Sequence, residues 1–146
     1  MISALEILAT LASGLFAGAA LYVNVAEHPA RMELEMHAAV SQWAPSYKRA
    51  TWLQAPLAVL SFLTGGAAWI LGAGIGWLWG AILIGAVVPF TFIAIMPTNH
   101  KLLDPARDSN EPETRALLNK WSQLHGVRTA LSIVAFAVYL WMLREA

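Results

Sequence analysis

The chain has 146 residues, of which 58% are hydrophobic and 12% are charged, and its formal net charge is zero. A soluble domain carries about 25% charged residues, so this composition indicates a membrane protein of one domain, residues 1–146. The zero net charge implies no nucleic-acid partner. The absence of cysteine excludes disulfides, thiolate catalysis and cysteine metal ligands.

Four segments are predicted to cross the lipid bilayer, because a span needs about 20 mostly apolar residues. They cover residues 2–25, 52–71, 75–96 and 129–143, and amphipathic segments at residues 32–44 and 113–128 precede the second and fourth spans. Glu6 stands where a signal peptide needs a basic residue, so we expect the first span to be retained. Pro45 is expected to end the first amphipathic helix, whereas the apolar stripe in residues 117–127 predicts one long helix over residues 113–144. The predicted fold class is an all-α integral membrane four-helix bundle, with helices that extend beyond the bilayer on the cytoplasmic side.

The distribution of basic residues predicts the orientation. Eight of the nine Lys and Arg residues flank the first and third connections, and only Arg144 lies on the opposite side. The positive-inside rule makes the basic side cytoplasmic. We therefore expect a bacterial inner-membrane protein with both termini in the periplasm and the histidine-bearing loops in the cytoplasm.

Glycines recur at steps of four in the first span, at Gly14 and Gly18, and before the third, at Gly72, Gly76 and Gly80. Such spacing lets helix backbones approach closely in lipid. It predicts tight helix packing and a homo-oligomer formed through these faces, unless the glycines only reflect the usual composition of membrane helices.

The residues with catalytic potential gather on the predicted cytoplasmic side. All four histidines lie there, and Asn24 and His28 are spaced to share a helix face. Trp121, His125 and Thr129 line one face of the last helix with Arg128 beside it. Because four-helix bundles build sites from side chains on facing helices, these positions predict a site among the helix ends.

Three roles for these residues stay open from spacing alone. His28, His125 and Glu27 could ligate a metal ion, and His28 with His125 could alternatively hold a haem. One histidine could instead be a general base without any cofactor. The third alternative is structural, with Glu27 paired to Arg31 or Arg128.

Four stretches carry a resemblance to a known family: ALYVNVAEHPAR, WAPSYKRATWLQAPLA, PFTFIAIMPTNHKLLDP and WSQLHGVRTALSIVAF. In this order they resemble the anthrone oxygenase-like family of small integral membrane proteins. The resemblance covers nearly the whole chain, and it implies a four-helix membrane fold and oxygenation of a polyketide anthrone to an anthraquinone.

The resemblance implies a monooxygenase-like oxidoreductase that acts on a hydrophobic polyketide or aromatic substrate. There are two alternatives. One is a haem- or metal-binding membrane protein without oxygenase activity, and the other is a non-catalytic membrane protein that binds a small molecule. The predicted catalytic residues are Glu27, His28, His125 and Arg128. The predicted substrate-binding residues are Tyr22, Asn24, Trp43, Tyr47, Arg49, Trp52, Asn99 and Trp121.

Overall fold

A computed structural model of the chain describes residues 3–108, 110 and 112–145. Four long helices account for most of them: α1 (Ala4–Met32), α2 (Met36–Ile70), α3 (Ile75–Leu102) and α4 (Pro112–Glu145). All four are long and apolar enough to cross a membrane, and these described ranges contain no strand. The predicted all-α membrane four-helix bundle is confirmed. The outermost positions of the predicted domain and first span, residues 1, 2 and 146, lie outside the described residues.

Each helix packs against two neighbours, since α1 and α3 both contact α2 and α4. The four helices therefore form a square whose inner faces enclose the core. The connection after α1 and the connection before α4 lie at one end, which we call the loop end. The α2–α3 turn and the outer ends of α1 and α4 lie at the other, the terminal end.

The predicted helix break at Pro45 is wrong, because α2 continues through both Pro45 and Pro56. A proline inside a helix removes one backbone donor and crowds one carbonyl, and packing beside it can offset this local cost. Trp43 is fully buried and stacks on Tyr47 with ring centroids 5.3 Å apart. The predicted long helix at the other end of the chain is confirmed by α4.

Two π-helical turns interrupt α1 and α3 near the loop end, at Val23–Glu27 and Thr91–Ile95. Each turn closes through a five-residue hydrogen bond, from the His28 N–H to the Val23 carbonyl and from the Met96 N–H to the Thr91 carbonyl. In both helices the residue directly after the N–H donor of this hydrogen bond is a proline, which has no backbone N–H of its own. Single π-helical turns frequently occur at functional sites, and both of these pack against α4.

Close helix packing at the terminal end depends on glycine. Tyr139 is fully buried, and a Cβ atom at Gly65 or Gly80 would overlap its ring. Gly14 faces Phe136 in the same way. These glycines therefore serve contacts within one chain, whereas a Cβ at Gly18 would meet nothing within 4 Å.

The turn between α2 and α3 also needs glycine, for a different reason. Gly72 and Gly74 have φ angles of +89° and +109°, in the left-handed region that residues with a Cβ rarely adopt. The turn joins neighbouring antiparallel helices and so fixes the α2–α3 seam.

Candidate functional site

All four helices contribute side chains to a small internal chamber near the loop end. The chamber has a volume of about 20 Å³, which is room for about one water molecule. Its wall combines apolar, hydroxyl, amide, imidazole and guanidinium groups. The lining residues are Val23, Ser46, Tyr47, Ala50, Thr51, Gln54, Thr91, Ile95, Trp121, His125 and Arg128.

A hydrogen-bond chain from α1 fixes the orientation of His125. Asn24 donates through Nδ2 to the Ser122 carbonyl at 3.1 Å, and its Oδ1 lies 2.8 Å from His125 Nδ1. Thr129 Oγ1 also donates to this Oδ1, at 2.6 Å. An amide oxygen only accepts, so Nδ1 of the imidazole carries the hydrogen. The remaining nitrogen, Nε2, is therefore an acceptor on a ring that lines the chamber.

The second polar element of the chamber is a buried cation. Arg128 is 9% exposed, donates through Nη2 to Gln54 Oε1, and lies over the Phe16 ring with its Cζ atom 5.0 Å from the centroid. Its Nε has no hydrogen-bond partner, and none of the described residues offers it a carboxylate. A buried charge is costly unless it is paired, so this guanidinium is poised to bind an anionic oxygen.

Trp121 lines the chamber and contacts both buried histidines. The centroid of its ring lies 5.0 Å from that of His125 and 5.7 Å from that of His28. Trp43 meets it edge to face at 5.8 Å, and the guanidinium of Arg31 lies 5.8 Å from its centroid. The two buried histidines therefore contact one indole, but only His125 lines the chamber.

A second polar cluster is built around an ion pair within α1. Arg31 Nη2 donates to Glu27 Oε1 at 2.6 Å, and Gln42 Nε2 donates to the same oxygen at 3.2 Å. Ser46 Oγ donates to it as well. Arg31 Nη1 also lies 3.4 Å from His28 Nδ1. Glu27 thus pairs with Arg31 rather than Arg128, and the cluster ties α1 to α2.

Within residues 3–108, 110 and 112–145, no group of three or more His, Asp or Glu side chains is arranged to hold a metal ion. Glu27 accepts hydrogen bonds from its own cluster, and His125 is bonded to Asn24 through Nδ1. The hypothesised trio of Glu27, His28 and His125 is therefore not assembled as a ligand set.

The other predicted site residues fall into three groups. Tyr47 and Trp121 line the chamber. Trp43 and Asn99 are fully buried outside its wall, and neither amide atom of Asn99 has a hydrogen-bond partner. Tyr22, Arg49 and Trp52 lie on the outer surface of the bundle, with Tyr22 62% and Trp52 83% exposed.

Sequence reasoning missed several chamber residues. Gln54 is the most informative, because a buried amide within an apolar span needs an internal partner and so signals an interior polar site. Ser46, Thr51 and Thr91 carried no such signal. Hydroxyl side chains in membrane helices commonly bond to their own backbone, as Thr91 does to the Val87 carbonyl at 2.7 Å.

These features define a small four-helix membrane protein with a buried, positively charged chamber between its helices. Residues 43–138 match the family model described as anthrone oxygenase. This match covers more than half of the chain, so the chain belongs to the anthrone oxygenase family, which confirms the resemblance.

A curated relative is the anthrone oxygenase tpcL of Aspergillus fumigatus, which is 36% identical over 67 residues. The aligned region covers 43% of this chain and 41% of the relative, so the chain matches less than half of that protein's length. No solved structure matches. Asn24, Glu27 and His28 lie before the residues that match the family model, whereas His125 and Arg128 lie within them.

Proposed function

We propose that this protein is a membrane oxygenase that converts an enolisable, hydrophobic aromatic ketone of the anthrone type to the quinone. The observation that carries the proposal is Arg128, a buried guanidinium to which no described residue supplies a carboxylate, on the same chamber wall as His125. A base beside an unpaired cation suits the formation and stabilisation of an enolate. Family membership and the name of the fungal relative support the same reaction class.

The first step is proton transfer. Asn24 holds Nδ1–H of His125, so Nε2 accepts the proton of the hydroxyl group in the enol tautomer of the substrate, in which one CH₂ hydrogen has moved to the carbonyl oxygen. The electron pair of the broken O–H bond stays on that oxygen and is delocalised through the ring system to the carbon that carried the CH₂ group. Arg128, positioned by Gln54, stabilises that oxyanion, since hydrogen bonds to charged groups are shorter and stronger than neutral ones.

The second step consumes O₂. The electron-rich carbon transfers electrons to O₂ and forms a C–O bond, and the resulting peroxide takes up the proton held by His125. Loss of water from the hydroperoxide then leaves a carbonyl group. The sum is CH₂ plus O₂ giving C=O plus H₂O, so the substrate supplies all the electrons. The position of the chamber between the four helices excludes bulk water from the enolate.

The experiment is oxygen uptake by purified protein in lipid nanodiscs with anthrone as the substrate, corrected for autoxidation in empty nanodiscs. We expect anthraquinone to form in a 1:1 ratio to the O₂ consumed. His125→Ala should remove the protein-dependent rate, whereas the matched variant His100→Ala, at an exposed position, should retain it. An unchanged rate in His125→Ala with an intact fold would refute the proposal.

We also infer that the chamber is on the cytoplasmic side of the membrane. Eight of the nine Lys and Arg residues flank the connections at the loop end, and such asymmetry orients membrane helices. A reporter enzyme that is active only outside the cytoplasm, fused after residue 146, should then show activity.

We further propose that copies of the chain associate through the surface around Gly18, where the helix backbone is open to a partner. Crosslinking in nanodiscs tests that association.

A further inference from the structure

A second cavity adjoins the chamber on the side where α2 meets α3. This vestibule has a volume of about 100 Å³. It shares Tyr47, Thr51, Thr91 and Arg128 with the chamber. The remainder of its wall is apolar and consists of Ala55, Val87, Val88, Phe92 and Met96.

An open apolar groove adjoins the vestibule along the same seam. The groove has a volume of about 630 Å³ and shares Val88 with the vestibule. It contains no charged side chain. Phe62 and Leu63 on its α2 side are 44% and 59% exposed. Within a membrane span this surface faces acyl chains, and exposed apolar surface that leads to an interior polar group is a common feature of binding sites.

The volumes decide where a ligand can lie. A drug-sized ligand needs a pocket of about 300–1,000 Å³, whereas the chamber holds about one water molecule. The apolar body of any aromatic ligand must therefore lie in the vestibule and groove. Only one edge of the ligand can reach Arg128, which belongs to both the vestibule and the chamber.

We propose that the α2–α3 seam is a lateral binding site, open to the lipid, for a molecule with a flat apolar body and the oxygen of an enolisable carbonyl on one edge. The body lies between α2 and α3, and the oxygen accepts hydrogen bonds from Arg128. The inference rests on the proposed function for the identity of the ligand class, and it adds that the ligand arrives from the bilayer and not from water.

The seam can admit such a body because few polar contacts close it at the vestibule. Thr51 and Thr91 donate their hydroxyl groups to carbonyls within their own helices, those of Tyr47 and Val87. Tyr47 OH donates across the seam to Met96 Sδ at 3.8 Å, and thioether sulfur is a weak acceptor. A ligand that enters the seam therefore displaces one weak hydrogen bond and the apolar contacts that the seam makes with lipid.

The chain contains no cysteine, so a single introduced thiol can block the site after folding. Ala55→Cys, at an exposed position of the vestibule wall, would be modified in nanodiscs with benzyl methanethiosulfonate. Binding of anthrone under nitrogen would be measured by quenching of tryptophan fluorescence, corrected for partition into empty nanodiscs. We expect modification to weaken binding at least tenfold and a reducing agent to restore it.

The matched control is Ile93→Cys, which lies on α3 at 78% exposure outside the vestibule wall. The same modification there should leave anthrone binding unchanged. The lateral site would be refuted if modification weakened anthrone binding in neither the Ala55→Cys nor the Ile93→Cys protein, or weakened it to the same extent in both.

The role of the carbonyl oxygen is tested with anthracene, which has three fused rings without an oxygen. Wild-type protein should bind anthrone at least tenfold more tightly than anthracene, and Arg128→Gln should remove this preference. If wild-type protein binds both compounds equally, or the preference survives in Arg128→Gln, the occupant is a generic apolar molecule such as a lipid chain and the proposed ligand chemistry is wrong.

Oxygen uptake on the same samples separates this inference from the proposed function. Turnover that survives blockage at position 55 would leave the oxygenase intact and refute the lateral site. Reversible blockage of anthrone binding without any oxygen uptake would support the lateral site and refute the oxygenase.

Discussion

Asn24 Oδ1 and His125 Nδ1 lie 2.8 Å apart although 101 positions separate them in the chain. The contact joins the π-helical turn of α1 to the middle of α4, and the amide orientation is set by the bond from Asn24 Nδ2 to the Ser122 carbonyl. The tautomer of the chamber histidine is therefore determined by a residue on another helix, as second-sphere groups determine ligand tautomers in metal sites.

Removal of the Asn24 acceptor should impair proton transfer without removing the histidine. Asn24→Leu should lower kcat for anthrone oxidation by about 10- to 100-fold, by analogy with losses of orienting partners, because Nδ1 and Nε2 can then exchange the hydrogen. Asn24→Asp keeps an acceptor at Oδ1 and should retain more activity than Asn24→Leu. Oxygen uptake measures both, and equal rates in the two variants would contradict the orienting role.

Two replacements of Arg128 should show whether activity depends on its positive charge or on the geometry of its hydrogen-bond donors. Arg128→Lys retains the positive charge but loses the planar donor array, so we expect partial activity. Arg128→Gln removes the charge and should lower kcat/KM by about 100-fold or more, which is the loss typical of removing one oxyanion donor. Thermal unfolding should show no loss of stability in Arg128→Gln, since an unpaired buried charge is replaced by a neutral amide. A strong loss of stability with unchanged kcat/KM would assign Arg128 to structure alone.

The Glu27–Arg31 pair should contribute mainly to stability. Glu27→Gln leaves a buried guanidinium with weaker partners and should lower the free energy of unfolding by about 1.5–3 kcal/mol, the range for hydrogen bonds to charged groups. The double variant Glu27→Gln with Arg31→Met removes both charges and should recover part of this loss. Denaturant titration in detergent checks the values. A double variant less stable than the sum of the single changes would argue against a simple pair.

The tight packing around Tyr139 should be sensitive to a single methyl group. Gly80→Ala places a Cβ against the Tyr139 ring and should destabilise the fold by about 1–3 kcal/mol, the usual cost of overpacking. Gly18→Ala adds the same group where nothing lies within 4 Å and should be neutral or slightly stabilising. Thermal unfolding of the two variants compares them directly. Equal midpoints would show that Tyr139 can move aside at little cost.

The exposed aromatic residues of the predicted binding set should be dispensable for substrate binding. Tyr22 and Trp52 lie on the outer surface and outside the chamber and vestibule walls. Trp52→Leu should therefore leave the dissociation constant for anthrone unchanged, whereas Trp121→Leu should weaken binding or turnover at least tenfold. Fluorescence quenching and oxygen uptake on the two variants check this contrast. A large loss in Trp52→Leu would indicate that the outer surface takes part in binding.

The sequence by itself determined the all-α membrane class, the four helices and the long uninterrupted C-terminal helix. These follow from local properties, since the length of an apolar run and its helical period do not depend on what the helix packs against. The four characteristic stretches were also sufficient to identify the family. Both histidines that contact Trp121 were found from their gathering at one end of the helices.

Only the tertiary structure decided which of those polar residues share a chamber. Spacing along α1 placed Asn24 and His28 together, but the π-helical turn at Val23–Glu27 changes the helix register between them. Asn24 bonds to His125, while His28 contacts Trp121 but lies outside the chamber wall. Pro45 likewise disrupts a helix in isolation, yet packing of Trp43 on Tyr47 and Trp121 accompanies a continuous helix. Helix packing sets these outcomes because it joins residues far apart in sequence, such as Gln54 and Arg128, which no local pattern relates.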